Sequence, residues 1–87
     1  MNLNHKQKEL IDFLFNSVKE KYPELKFLNL SVSPDDPEHI WINVSADMEE
    51  DKEIEMRYFA AGIEADIHID YGYRISIMSE NPNRIYA

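Results

Sequence analysis

Three residues in the second half of the chain carry side chains that could bind a metal ion: Asp66, His68 and Asp70. If this segment is helical, Asp66 and Asp70 lie one turn apart on one side. If it is a strand, all three share one face. Divalent cations favour oxygen ligands from carboxylates. One hypothesis is therefore a small metal-dependent hydrolase or transferase, and the alternative is a solvated helix end whose charge Arg74 or a nearby lysine compensates.

Other residue types with catalytic potential occur without the surroundings that such chemistry needs. The chain has no cysteine, which excludes thiol catalysis, thiolate metal sites and disulfides. Its serines lack a G-x-S-x-G context, and two glycines, Gly62 and Gly72, are too few for a phosphate-binding loop. The sequence therefore predicts no cofactor, and it favours a protein without enzymatic activity.

Two helices are predicted from the spacing of apolar residues. The first covers about residues 4–22, ends before Pro23, and has an apolar stripe formed by Leu10, Ile11, Leu14, Phe15, Val18 and Tyr22. The second begins near Asp47, where Glu50 three residues later completes a capping-box pattern. It runs to about residue 70 or 71, with Gly72 as a left-handed C-cap.

The second helix has unusually wide apolar coverage. We therefore expect it to be packed on more than one side, and we expect Gly62 to allow a close approach of the first helix. Its end is ambiguous, because the isoleucines and tyrosines of residues 67–77 alternate in a way that also fits one long strand.

Alternating apolar residues predict three strands at about residues 25–33, 39–45 and 73–79. The first two form an antiparallel hairpin around the turn sequence PDDP. The chain is thus expected to be one α+β domain over residues 1–87, with residues 80–87 as a tail. Its architecture is a two-layer helix-strand-strand-helix-strand fold, in which a three-stranded mixed sheet carries both helices on one face. The core face is expected to carry Leu28, Leu30, Val32, Ile40, Ile42, Val44, Ile75 and Ile77.

The opposite face of the sheet would then carry Phe27, Trp41 and Met78 among small polar residues. Exposed aromatic residues that lie close together commonly mark an interaction surface. We therefore expect this open face to bind a protein, including a second copy in a homodimer. The alternative is that the tail or a loop covers it.

The charge of the chain is negative and concentrated. The net charge is −8, and residues 47–70 carry nine acids against Lys52 and Arg57. A chain this acidic argues against nucleic-acid binding and is compatible with a basic protein partner. Glu49, Glu50 and Glu53 are the candidate contact residues. Because the first residues form no apolar signal segment and no run is long enough to span a bilayer, we expect a cytoplasmic protein without membrane association.

Residues 63–77 read IEADIHIDYGYRISI. This stretch and the order of the elements resemble the core of minimal nucleotidyltransferase-like domains. That family carries a Gly-Ser pair followed by an Asp-x-Asp motif on the hairpin, whereas residues 29–33 and 39–43 read NLSVS and HIWIN. The resemblance therefore implies the fold but not metal-dependent nucleotidyl transfer, and it assigns no catalytic residue. The order is also close to that of KH-type folds, but the G-x-x-G loop is missing.

Overall fold

A computed structural model describes residues 1–83 of the 87-residue chain. The predicted α+β class and the order helix–strand–strand–helix–strand are confirmed. The elements are α1 (His5–Lys21), β1 (Leu25–Val32), β2 (His39–Ala46), α2 (Glu50–Tyr71) and β3 (Arg74–Glu80).

α1 begins at a reciprocal cap. The Asn4 side chain accepts a hydrogen bond from the Gln7 backbone N–H, and the Gln7 side chain accepts one from the Asn4 N–H. This capping box satisfies two N–H groups at the helix start. The helix ends at Lys21, shortly before Pro23. Its apolar stripe is buried, as predicted, at Leu10, Ile11, Leu14 and Val18.

β1 pairs antiparallel with β2, and a bulge leaves Leu28 unpaired between Phe27 and Asn29. Side chains alternate between the two faces of a sheet along a strand. An extra residue therefore moves the side chains that precede it to the opposite face. Phe27 is turned toward the helices, where its ring meets that of Phe15 edge-on at a centroid distance of 5.9 Å. Leu28 lies on the other face and is 46% exposed. The predictions that Phe27 lies on the open face and Leu28 in the core are therefore wrong.

β2 is the central strand, and its alternation is as predicted. Ile40, Ile42 and Val44 are buried, whereas Trp41 and Asn43 on the other face are partly exposed. β3 runs parallel to β2 and adds two buried residues in register, Ile75 and Ile77. The sheet order is β1-β2-β3. Its covered face forms one core with both helices.

α2 begins later than predicted. Its first residue is Glu50, and the N-cap residue Glu49 makes no side-chain cap hydrogen bond. Asp47 instead accepts a hydrogen bond from the side chain of Asn83 at 2.7 Å. The predicted capping box of Asp47 and Glu50 is therefore wrong.

The end of α2 is as predicted. The helix reaches Tyr71 and stops at Gly72, whose φ of 77° is left-handed. Glycine has no Cβ and adopts this conformation readily. The Gly72 N–H donates to the His68 carbonyl at 2.9 Å. The turn to β3 follows at once, so the alternative of one long strand is wrong.

The predicted tail begins inside the fold rather than outside it. Glu80 is the last residue of β3, and Asn81 is 5% exposed. Residues 84–87 of the predicted tail lie outside the described part of the chain.

Candidate functional site

The predicted metal ligands lie near the C-terminal end of α2, and all three are exposed. Asp66 and Asp70 line a groove beside α1. His68 lies about 200° around the helix from each of them, so its ring points away from both carboxylates. Within residues 1–83, no three His, Asp or Glu side chains group closely enough to hold a metal ion. The geometry therefore gives the metal hypothesis no support. Arg74, one of the two cations expected to compensate this end, pairs instead with Asp36 at 2.6 Å. A lysine, Lys6, does line the same groove as Asp66 and Asp70.

The groove between α1 and α2 is partly closed by the chain itself. It is lined by apolar and acidic side chains, including those of Phe13, Ile63, Tyr71, Glu9, Asp66 and Asp70. The Lys6 ammonium lies 3.1 Å from the Glu9 carboxylate and 5.2 Å from the centre of the Tyr71 ring. The hydrogen bond and charge of Glu9 raise the pKa of Lys6. A basic side chain already occupies the position that a basic ligand would take.

Glu53, predicted to contact a partner, is buried with an exposure of 1%. One of its carboxylate oxygens accepts a hydrogen bond from the Ser79 hydroxyl at 2.6 Å. The other accepts one from the Asn81 side-chain amide at 3.1 Å. That amide also donates to the Met48 carbonyl at 2.7 Å. Glu53 therefore joins the end of β3 to the start of α2 and cannot contribute to an exposed acidic surface.

The other predicted acidic contacts, Glu49 and Glu50, are exposed at the N-terminal end of α2. Acidic residues in the first turn are favourable there because of the positive end of the helix dipole. Lys52 in the same region pairs with Glu24. This favourable interaction with the helix dipole accounts for the position of the acids without a partner.

The open sheet face is mostly polar. Its large apolar side chains are Leu28, Trp41 and Met78, and Leu28 takes the place predicted for Phe27. Between them, the Asn43 side chain donates hydrogen bonds to Asn29 and Ser31 at 2.7 and 2.9 Å. These polar groups satisfy one another across the strands, and they separate the apolar side chains.

A serine and a histidine meet at one end of the open face. His39 Nε2 lies 2.7 Å from the Ser76 hydroxyl oxygen, and the Trp41 ring lies edge-on to the imidazole. Sequence reasoning missed this pair because the two residues lie on different strands. A nucleophilic serine also needs a group that orients the histidine and donors for an oxyanion. Within residues 1–83, no carboxylate hydrogen-bonds to the other ring nitrogen. We therefore describe the His39–Ser76 pair as a hydrogen-bonded contact between β2 and β3.

Glu64 of α2 reaches the outer edge of β3. Its carboxylate accepts a hydrogen bond from the Ile77 backbone N–H at 3.0 Å. Burial raises the pKa of Glu64, against hydrogen bonds from Ile77 and from the Ser76 side chain that lower it. An edge strand offers unpaired N–H groups to other chains. The Glu64 carboxylate therefore satisfies one backbone N–H group of this edge strand, so that group is not available to another chain.

The outer face of α2 is an exposed apolar stripe. Ile54, Tyr58 and Ile69 are exposed by 43, 77 and 77%, and between them lie the exposed small residues Ala61, Gly62 and Ala65. At about 100° per residue, these six positions fall within one side of the helix. We call them the α2 stripe. α2 packs against both β3 and α1, as the prediction of packing on more than one side requires, but within residues 1–83 no element covers this stripe.

Gly62 lies in the middle of the α2 stripe. A Cβ atom built there would meet no atom within 4 Å, so the predicted close approach of α1 is wrong. Glycine inside a helix destabilises it by about 1 kcal/mol relative to alanine. No contact within the described chain accounts for this cost. Apolar spacing revealed the stripe in the sequence, but it could not show which side of the helix stays uncovered.

Comparison of the chain with family models, curated proteins and solved structures gives no significant match. The resemblance to nucleotidyltransferase-like domains therefore stays a prediction. Within residues 1–83, no helix is both long and apolar enough to cross a membrane.

Proposed function

We propose that the chain is a small protein-binding domain without enzymatic activity and that the α2 stripe is its principal contact surface. The observation that carries this proposal is the exposure of Ile54, Tyr58 and Ile69 along one side of the longest helix. Exposed single apolar residues are common on proteins, but a contiguous row with a polar rim is typical of an interface.

The energy available from the stripe supports this assignment. Tyr58 and Ile69 are each 77% exposed. Fully burying a large apolar side chain stabilises a complex by about 1.5–3 kcal/mol. Tyrosine is also a residue type enriched among binding hot spots. A partner that covers both Tyr58 and Ile69 would therefore gain enough energy to offset part of the entropy cost of association.

The rim of the stripe is charged and predominantly acidic. The exposed acids Glu55 and Asp66 lie along one flank of the stripe, and Arg57 lies along the other. A polar rim around an apolar centre is the usual composition of a protein interface. The predicted acidic contacts Glu49 and Glu50 lie at the N-terminal end of this rim.

The open sheet face is a weaker candidate. Its polar side chains hydrogen-bond to one another, and Met78 is 36% exposed, less than half the exposure of Tyr58. Self-association through Trp41 and Met78 stays a prediction. A basic partner and a cytoplasmic location also stay predictions.

Site-specific photocrosslinking tests the proposed function. Tyr58 is replaced by p-benzoylphenylalanine, which keeps an aromatic side chain at this position, and the protein is irradiated inside the cells that produce it. We expect a covalent adduct with a protein, either another protein or a second copy. The matched control carries the same residue at exposed Glu20 on α1 and should give no such adduct. A Tyr58 sample without any protein adduct would contradict the proposal.

A further inference from the structure

We infer that Glu64 keeps the outer edge of β3 closed to strand addition, and that without its carboxylate β3 pairs with β3 of a second copy. The inference concerns the edge of the sheet rather than the α2 stripe, so it goes beyond the proposed function. It is carried by the position of the Glu64 carboxylate on β3 and by the different protection of β1, the other edge strand.

The sequence of β3 favours pairing with a further strand. Residues 75–79 read ISIMS, a segment without charge, proline or glycine. Uncharged segments that contain β-branched residues add strands most readily. β3 is an outer strand of the sheet, and within residues 1–83 no strand pairs with its other edge. Such an edge presents a row of backbone N–H and C=O groups to other chains.

The Glu64 carboxylate lies at the middle of this edge. It accepts a hydrogen bond from the Ile77 N–H at 3.0 Å, so this N–H points away from β2. Backbone N–H groups alternate in direction along a strand, and those of Ile75 and Ser79 therefore point outward as well. An incoming strand would bring a carbonyl oxygen to each of these positions. At the central position it would meet a carboxylate that repels this oxygen and already satisfies the donor.

The edge of β1 is protected in other ways. A bulge at Leu28 interrupts the regular pairing of the strand, and Lys26 is exposed on it. Lys19 of α1 also donates a hydrogen bond to the Leu25 carbonyl at 2.6 Å. Bulges and lysines are common features of edge strands that resist further pairing. The protection of β1 is therefore shared among several residues.

β3 has neither a bulge nor a lysine. Its pairing with β2 is regular from Arg74 to Glu80. These two charged residues stand at the ends of the strand, and Arg74 pairs with Asp36. The centre of β3 therefore depends on the carboxylate that α2 supplies at Glu64. Replacing this one residue should open the edge.

The net charge also opposes the pairing of two copies, but it acts over a longer range. Each chain carries a charge of −8, and about 1 M salt screens this repulsion because the Debye length falls to about 3 Å. The Glu64 contact is a hydrogen bond made by a partly buried side chain, so the same salt leaves it in place. Association at high salt therefore reports the state of the edge rather than the overall charge.

Three substitutions at Glu64 separate the hydrogen-bond acceptor from the charge. Glu64→Ala removes both, and Glu64→Met removes both while it keeps a side chain of similar length. Glu64→Gln removes the charge and keeps an oxygen acceptor for the Ile77 N–H. At high salt, the Ala and Met variants should self-associate at least about tenfold more strongly than wild type, and the Gln variant should behave like wild type.

Sedimentation velocity over a range of protein concentrations measures the association, and thermal unfolding followed by circular dichroism shows that each variant is folded. Glu20→Ala, at an exposed position on α1, is the matched control for a glutamate-to-alanine change on a helix. It should leave the association unchanged.

Amide hydrogen exchange at Ile77 locates the contact on β3. In wild type and in the Gln variant, this N–H has an acceptor and should exchange slowly at every protein concentration. In the dilute Ala variant it should exchange at least about tenfold faster. It should become slow again at high concentration, where β3 of a second copy supplies an acceptor.

Folded Ala and Met variants that associate no more than wild type would overturn the inference. So would a Gln variant that associates as strongly as these two, because the loss of charge alone would then account for the effect. Association that leaves the Ile77 N–H in fast exchange would place the contact on another surface and would also overturn it. None of these results bears on the Tyr58 photocrosslink, which tests the α2 stripe separately.

Discussion

At the scale of single residues, the Glu64 carboxylate has two opposing effects: it protects the edge of β3, and its charged form destabilises the fold. Its hydrogen bond from the Ile77 N–H, at 3.0 Å, protects the outer edge of β3. Its partial burial disfavours the charged form, so the pKa of Glu64 is raised. A group whose pKa is higher in the folded state binds its proton more tightly there. Ionised Glu64 therefore lowers the free energy of unfolding at neutral pH, and this penalty disappears once Glu64 is protonated in both states.

Glu64→Gln should remove the destabilisation by the ionised carboxylate and keep a hydrogen-bond acceptor at this position. The glutamine carbonyl can still accept from the Ile77 N–H, so we expect the variant to be more stable than wild type at pH 7. The difference should vanish as the pH falls below about 4, the ordinary range of glutamate. Urea unfolding between pH 3 and pH 8 measures it. Glu20→Gln, at an exposed position on α1, controls for the loss of one negative charge. An equal gain in both variants would refute the local explanation.

At the scale of elements, the bulge in β1 decides which residues meet the helices. Without it, Phe27 would share a face with Trp41; with it, the Phe27 ring packs on Phe15 of α1. Edge-on aromatic pairs of this kind contribute about 0.5–1.5 kcal/mol beyond their buried area. β1 is thus attached to α1 by a contact that regular alternation would not provide.

A double-mutant cycle measures this contact. Alanine at Phe15 and Phe27, singly and together, should give a coupling free energy of about 0.5–1.5 kcal/mol in the unfolding free energy. The matched cycle of Phe15 with Leu28 should give a coupling close to zero, because Leu28 lies on the other face of the sheet. Equal coupling in the two cycles would show that the bulge does not place Phe27 on the helix side. Denaturant unfolding of the six proteins supplies both values.

The elements were predictable from the sequence where local chemistry determines them. The alternation of β2, the helix stop before Pro23 and the left-handed cap at Gly72 each follow from neighbouring residues. The bulge was missed although LKFLNLSV breaks its alternation at the adjacent apolar residues Phe27 and Leu28. Which of the two is the extra residue appears only in the pairing with β2. The burial of Glu53 was missed for a similar reason. It depends on Ser79 and Asn81, which the fold brings from the end of β3.

At the scale of the whole molecule, the start of α2 and the end of β3 are joined by a buried polar contact. Asn81 connects Glu53 and the Met48 carbonyl through one side-chain amide. Buried polar groups are costly when they lose their hydrogen-bond partners. The end of the third strand is therefore part of the fold rather than an appendage, although the sequence predicted a tail from residue 80 onward.

Asn81→Ala should therefore destabilise the whole domain by about 2–3 kcal/mol, because it leaves a buried carboxylate and a backbone carbonyl with fewer donors. Asn83→Ala is the matched control. Asn83 is exposed, and its side chain contacts exposed Asp47, so its loss should cost less than about 0.5 kcal/mol. Chemical denaturation followed by tryptophan fluorescence measures both. Similar losses for the two variants would show that the Asn81 contact has no special role.

The parallel pairing of β2 and β3 also has a consequence for how the chain folds. The β1–β2 hairpin needs a short turn, whereas β3 can join β2 only after the chain has crossed over through the whole of α2. Contacts between residues far apart in the chain form slowly because a long loop must first be closed. During synthesis on the ribosome, the hairpin and α1 are available early, but the sheet stays incomplete until Arg74–Glu80 has emerged from the exit tunnel. Until then β2 has an open edge, and that interval is when the nascent chain most needs protection from aggregation.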